Sequence, residues 1–299
     1  YKLKQGFLEF WIPTYLYIKK QEYSLYGTGG AYIPNVNMEF FELLQKHPAD
    51  YSIKALDVSG VRMDIFNQYR KFLNVKTLGD VKNNDFIETI KPFFFFYSRQ
   101  LNDYAKHTRK FNHEQTARFR DTLAVAKDPE KTFFEDLPEA LGFDKTALQN
   151  KEKVEEFCYV VNRAVRELRS CYNDLIDRIE SSLLDALSIE EYDYTEYILT
   201  IRSRFASVNE YLLTDRLKEF YHHVMTEFDN RKEWYQSICY TALEQPLERL
   251  RDDQEEKLVH NLIMLFRECE KYSVISQMDI NSDEECFSVD MVATKGTNI

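Results

Sequence analysis

Apolar residues recur at steps of three and four along most of this chain, and the clearest run lies between Asn150 and Leu187. Val154, Phe157, Val161, Ala164, Leu168, Cys171, Leu175, Ile179, Leu183 and Ala186 make one stripe. At 1.5 Å per residue the stripe predicts a helix of roughly 55 Å at about 150–187. A stripe of that length is buried only against antiparallel neighbours, and Tyr197 to Met225 and Leu258 to Tyr272 have the spacing to supply them, with a weak coiled-coil character. The same period runs through Phe86 to His107, Glu114 to Lys127, Pro129 to Leu141, Tyr194 to Glu227, Lys232 to Leu243 and Asp252 to Ser276. The expected fold class is mainly α, an extended helical bundle over 83–278.

The first 78 residues follow another pattern. Phe7 to Ile18 is a dense apolar run broken by Pro13, and Tyr23 to Tyr26 and Ala31 to Pro34 flank Gly27-Thr-Gly-Gly30, which predicts a hairpin at 23–34. Asn37 is placed to cap a helix in which Phe40, Phe41 and Leu44 share a face, closed by Pro48. Tyr51 to Val58 alternates as a strand, and Ser59 begins a further helix carrying Val61, Ile65, Phe66, Tyr69 and Leu73. Residues 1–78 therefore read as a small α+β unit that a winged-helix variant would fit. Residues 279–299 read as an acidic linker and a strand, Phe287 to Val292, leading into a further segment.

Composition agrees with a helical protein: 8 Gly and 7 Pro stand against 42 Phe and Tyr, so loops are few and large anchors many. Five cysteines without CxxC spacing read as reduced core thiols of a cytoplasmic protein rather than a metal site. The longest uninterrupted apolar stretch, Pro92 to Tyr97, is far shorter than the roughly 20 residues of a membrane span. The chain opens Tyr-Lys-Leu-Lys without a signal-like segment, and both ends are expected to lie inside a longer polypeptide. Charge is divided unevenly: Tyr1 to Lys131 carries 20 Lys and Arg against 15 Asp and Glu, and the rest 19 against 35. A basic first part and an acidic remainder suggest surfaces with different partners.

No pattern carries recognisable chemistry. Gly27 to Gly30 lacks the GxxxxGK[ST] or GxGxxG arrangement that aims backbone N–H groups at a phosphate, so a hairpin tip is expected. His222 and His223, adjacent on a helix, point about 100° apart and cannot share one metal. Glu190 to Asp193 and Asp252 to Glu256 are acidic clusters, the second at a helix start where the macrodipole favours acids. Arg163, Arg166 and Arg169 have acidic helix neighbours and read as structural. One basic segment stands out: Arg99, Lys106, Arg109, Lys110, Arg118 and Arg120, with His107, interleaved with Tyr97, Tyr104 and Phe111. Cations with aromatics can hold phosphates and stack bases, and the competing reading is a solvated helix face. The sequence points to no catalytic residue, cofactor or metal.

Three stretches resemble a known group of proteins: Phe10 to Lys19; Ile53 to Arg62 with Phe66-Asn-Gln-Tyr-Arg70; and Ala126 to Phe143. They are similar to the accessory region beyond the nucleotide-binding part of very large bacterial ATP-binding proteins associated with phage-defence loci. The resemblance covers about half the chain and implies a helical accessory region serving an ATPase elsewhere, with an ATP-binding region expected on the N-terminal side. Since neither a Walker A lysine nor a Walker B strand is present, ATPase activity passes to no residue here. The expected function is a non-catalytic helical interaction module of a larger cytoplasmic assembly, its partners other domains or subunits and not a membrane. The alternatives are a nucleic-acid-binding module using 99–120 and an enzyme built from scattered carboxylates.

Overall fold

The structure, a computed structural model, describes residues 4–19, 22–30, 32–33, 37–55, 62, 65–67, 92–144, 148 and 150–278. The protein is mainly α-helical with a small α+β portion near its start. Its contacts divide it into two compact units, Tyr1–Cys171 and Tyr172–Ile299. The division falls inside the long helix. The boundary expected at 78–83, the helix expected to begin at Ser59 beyond its helical, buried Ile65 and Phe66, and the strand at 287–292 lie outside the described residues.

In the first unit, helix α1 (Gln5–Ile18) precedes strands β1 (Tyr23–Tyr26) and β2 (Tyr32–Ile33), helix α2 (Met38–Lys46) and strand β3 (Ser52–Ala55). The sheet is antiparallel in the order β2-β1-β3, with Leu25 opposite both Ile33 and Ile53. The hairpin turns through Gly29 and Gly30 at φ +73° and +77°, a conformation that costs L side chains energy and glycine little. Asn37 caps α2, its Oδ1 accepting from Phe40 N at 2.9 Å. Leu16, Tyr23, Leu25, Phe40 and Phe41 form the core between these elements.

Helices follow. A helix ending in a π turn (Phe96–Gln100) stops at Leu101, because Asn102 accepts from Ala105 N and starts α3 (Asp103–His107); the run expected over 86–107 is thus two helices. Next come α4 (Glu114–Val125), α5 (Pro129–Lys131), a π turn (Thr132–Asp136) and α6 (Leu137–Ala140). Asp128 caps α5 by accepting from Glu130 N and Lys131 N, at 3.0 and 3.2 Å, and also takes Lys54 Nζ of β3 at 2.7 Å. These bonds hold its carboxyl below the usual carboxylate range: burial opposes ionisation, and the bonds from Lys54 and Lys131 outweigh it.

Helix α7 (Lys151–Leu187) is the long helix expected. Nine of its ten stripe residues are buried and Ala186 is half-buried. It ends on Ser188 at φ +54°, where Ile189 N reaches back to Leu184 O and Ile189 is buried, a left-handed cap made without glycine. In the second unit α8 (Tyr194–Phe205), α9 (Asp215–Met225), α10 (Arg231–Leu243) and α11 (Glu255–Ser276) follow. The expected continuous helix over 194–227 is two. Asn209 and Thr214 accept from Tyr211 N and Leu217 N, side-chain bonds that compete with the helical ladder and restart the chain.

The described cysteines are core thiols, as the sequence suggests. Cys171, Cys239 and Cys269 are buried outside any disulfide, Cys158 is half-buried, and burial pushes the Cys158 and Cys269 thiols up to about 12, away from thiolate chemistry. Leu168→Ala or Leu175→Ala should destabilise the protein by about 2 to 5 kcal/mol in urea unfolding, and replacement of exposed Arg166 by much less. Asp128→Ala should cost about 0.5 to 2 kcal/mol more than Asp128→Asn, which keeps a capping oxygen. Because the folded pKa of Asp128 is depressed, its pairing stabilises in full above the unfolded value near 4 and is lost as pH falls through the folded value. Wild type should therefore lose more stability on acidification than Asp128→Asn.

Candidate functional site

The basic segment is drawn together by acids. Arg120 is only 2% exposed: its Nε and NH2 donate to Asp121 Oδ1 at 3.0 and 2.7 Å, and NH1 donates to the carbonyls of Ala105 and Thr108. Its guanidinium also lies over the Phe111 ring. It fastens the turn after α3 to α4 and is closed to a phosphate, a correction to its place among the candidate phosphate ligands. Arg109 meets the other oxygen of Asp121 at 2.7 Å, Arg118 meets Glu114 at 2.7 Å, and Lys106 meets Asp103 at 3.6 Å. Arg99 and Lys110 are exposed; of the interleaved aromatics, Tyr97 and Phe111 are half-buried, while Tyr104 is buried and accepts a bond from Thr108. Lys106, Arg109, Arg118 and Arg120 are thus each set against a carboxylate, while the Arg109 and Arg118 side chains stay more than half exposed.

Other candidates resolve likewise. Arg169 lies over the Phe96 ring and Arg163 donates to Gln115, both structural. His222 faces Glu210 at 3.5 Å while His223 bonds Thr241 Oγ1 at 2.9 Å, so the pair diverges. Asp193 caps α8, and Asp252 begins the 3-10 turn that leads into α11. His113 meets Glu167 across 54 positions. There Thr116 Oγ1 donates to the other oxygen of the same carboxylate. A hydroxyl nucleophile would have to be bonded to the imidazole, with the carboxylate behind it. Here hydroxyl and imidazole both end on Glu167, which ties α4 to α7. Among the described residues no group of three or more His, Cys, Asp or Glu is placed to hold a metal ion.

The feature that stands apart is α1. Phe7, Leu8, Phe10, Trp11, Ile12, Tyr15, Tyr17 and Ile18 are exposed, Phe10 by 70% and Ile18 by 69%; of the described side chains of this helix Leu16 alone is buried. Trp11 and Tyr15 stack on each other at 5.2 Å. A contiguous apolar surface of this kind on a folded protein marks an interaction site or an aggregation liability. The sequence carries the signal: a run apolar on all sides buries only one side against a three-stranded sheet, leaving the remainder outside.

Between α1 and α2 lies a groove of about 460 Å³. Glu9, Phe10, Pro13, Thr14 and Tyr17 supply one wall, and Met38, Phe41, Glu42 and Gln45, at i, i+3, i+4 and i+7, the other. Pro13 shapes the tie between the walls. Lacking an N–H, it leaves the Glu9 carbonyl without its helical donor, and Gln45 Nε2 of α2 donates to that oxygen at 3.0 Å.

No protein-family model, curated protein or solved structure matches this chain. No helix among the described residues is long and apolar enough to cross a membrane.

The bond to Gln45 can be tested by a double-mutant cycle. Gln45→Ala should cost about 0.5 to 1 kcal/mol with Pro13 present, as a partly solvated hydrogen bond. In a Pro13→Ala background the N–H restored at that position satisfies the Glu9 carbonyl, so the second substitution should cost clearly less in thermal melts.

Proposed function

We propose that this chain is a non-catalytic helical interaction module of a larger cytoplasmic, ATP-dependent bacterial assembly, and that α1 is the surface by which it meets another part of that assembly. The observation that carries the reading is the exposure of eight large apolar side chains on one 14-residue helix. At about 25 cal/mol per Å² of apolar surface removed from water, covering such a helix supplies several kcal/mol of docking energy. Aromatic residues dominate it, and aromatics dominate the energetic centres of protein interfaces. The context of an ATPase and of phage defence rests on the three stretches of resemblance. The pairing of Arg109, Arg118 and Arg120 with carboxylates weighs against the nucleic-acid reading of 99–120.

The test uses the full-length polypeptide in its own cells, with a photo-crosslinking phenylalanine analogue at Ile18. One discrete protein adduct is expected, lost when Phe10 and Trp11 are replaced by Ser. The reading is overturned if no adduct forms and the purified chain binds single-stranded nucleic acid at low salt with an affinity that falls steeply as salt is added.

A further inference from the structure

We propose that the groove between α1 and α2 receives a basic amphipathic helix of the partner polypeptide, with its apolar face on Phe10, Tyr17, Met38 and Phe41 and its Lys or Arg side chains on Glu9 and Glu42. This rests on α1 being an interaction surface, and it names what that surface takes. The form of the groove selects a helix. Each wall is one stripe of a helix, and the nine residues of α2 span about 13 Å, the length of roughly two and a half helical turns. The floor is apolar, and Met38 and Phe10 stand 75% and 70% exposed beside it, uncovered anchors for aliphatic or aromatic side chains.

Charge selects the sign of the occupant. Glu9 and Glu42 are exposed in the lining, and among the described residues neither makes an ion pair and no cationic side chain lines the groove. Two exposed carboxylates beside an apolar floor attract Lys and Arg, raise the association rate and repel acidic competitors. They also disfavour one other occupant of an apolar face. An anionic lipid headgroup meets like charge at the groove itself, and Lys4 and Lys46 lie outside its lining, so the vesicle arm of the experiment separates a lipid surface from a peptide.

The experiment measures anisotropy of a labelled amphipathic peptide of about 18 residues, some 27 Å as a helix and so longer than the groove, with Leu on one face and Lys on the other, against an otherwise identical peptide with Glu for Lys. The Lys peptide should bind in the micromolar range and weaken with salt. Glu9→Lys with Glu42→Lys should lower its affinity about tenfold or more and raise that of the Glu peptide. Met38→Asp should abolish binding by placing a carboxylate under the Leu face, and since all three positions are exposed the melting temperature should hold. Equal binding of the Lys peptide by wild type and the charge-reversed variant would overturn the proposal, as would recruitment of the chain to phosphatidylserine vesicles in place of the peptide. A crosslink from Ile18 that persists while the charge reversal has no effect leaves the interaction module standing and removes the basic helix. Loss of both removes the two together.

Discussion

The burial of one face of α7 is the constraint on which the described structure depends. A 37-residue amphipathic helix gains little from its own backbone hydrogen bonds in water, and its stability comes from what covers the stripe. In the first unit its residues bond to α4 through Glu167 and Arg163, and Phe143 packs edge-on against Phe157. In the second unit its later turns bond to α8, α10 and α11 through Glu180, Asp177 and Arg178. Each unit thus completes its core on its own length of the same helix. At roughly 1.5 to 3 kcal/mol for each large side chain taken from water, the stripe outweighs any polar contact in the molecule.

The polar contacts choose the arrangement. Glu255 is buried, with Arg178 donating to both of its oxygens at 2.8 and 3.0 Å. Glu180 takes the Tyr197 hydroxyl at 2.5 Å and Arg231 at 2.6 Å, and burial together with that carboxylate raises the Tyr197 pKa well above the usual phenol range, so the hydroxyl remains a donor. A half-buried charge costs more to leave unpaired than its pairing contributes, so these contacts penalise wrong helix registers more than they strengthen the right one. The same reasoning explains the basic segment. Arg120 is drawn inside because Asp121 and two carbonyls are there to receive it, and Arg109 shares that acid.

Much of this is legible in the sequence, where the signal is local. The α7 stripe, the Asn37 cap, the glycine-tipped hairpin and the separate directions of His222 and His223 follow from spacing within one element. Periodicity misplaces helix ends where a side chain outcompetes the ladder, at Asn102 and at Asn209 with Thr214, because Asn and Thr inside an apolar period look no different from solvated helix positions. The meeting of His113 with Glu167, and of Lys54 with Asp128, cannot be read from spacing, since the partners lie 54 and 74 positions apart. The helix at α1 is hidden by Pro13, a residue that ordinarily ends one.

Pro13 links the fold to the function proposed. Without the donor from Gln45, the exposed Glu9 carbonyl would turn to water and α1 would lose this tie to α2. With it, α1 is tied to α2 at the turn where Pro13 withholds a donor, and Phe10 and Tyr17 line the groove beside that tie. A chain that buries the long apolar stripe of α7 thus leaves the aromatics of α1 outside, beside a hydrogen bond that joins one wall of the groove to the other.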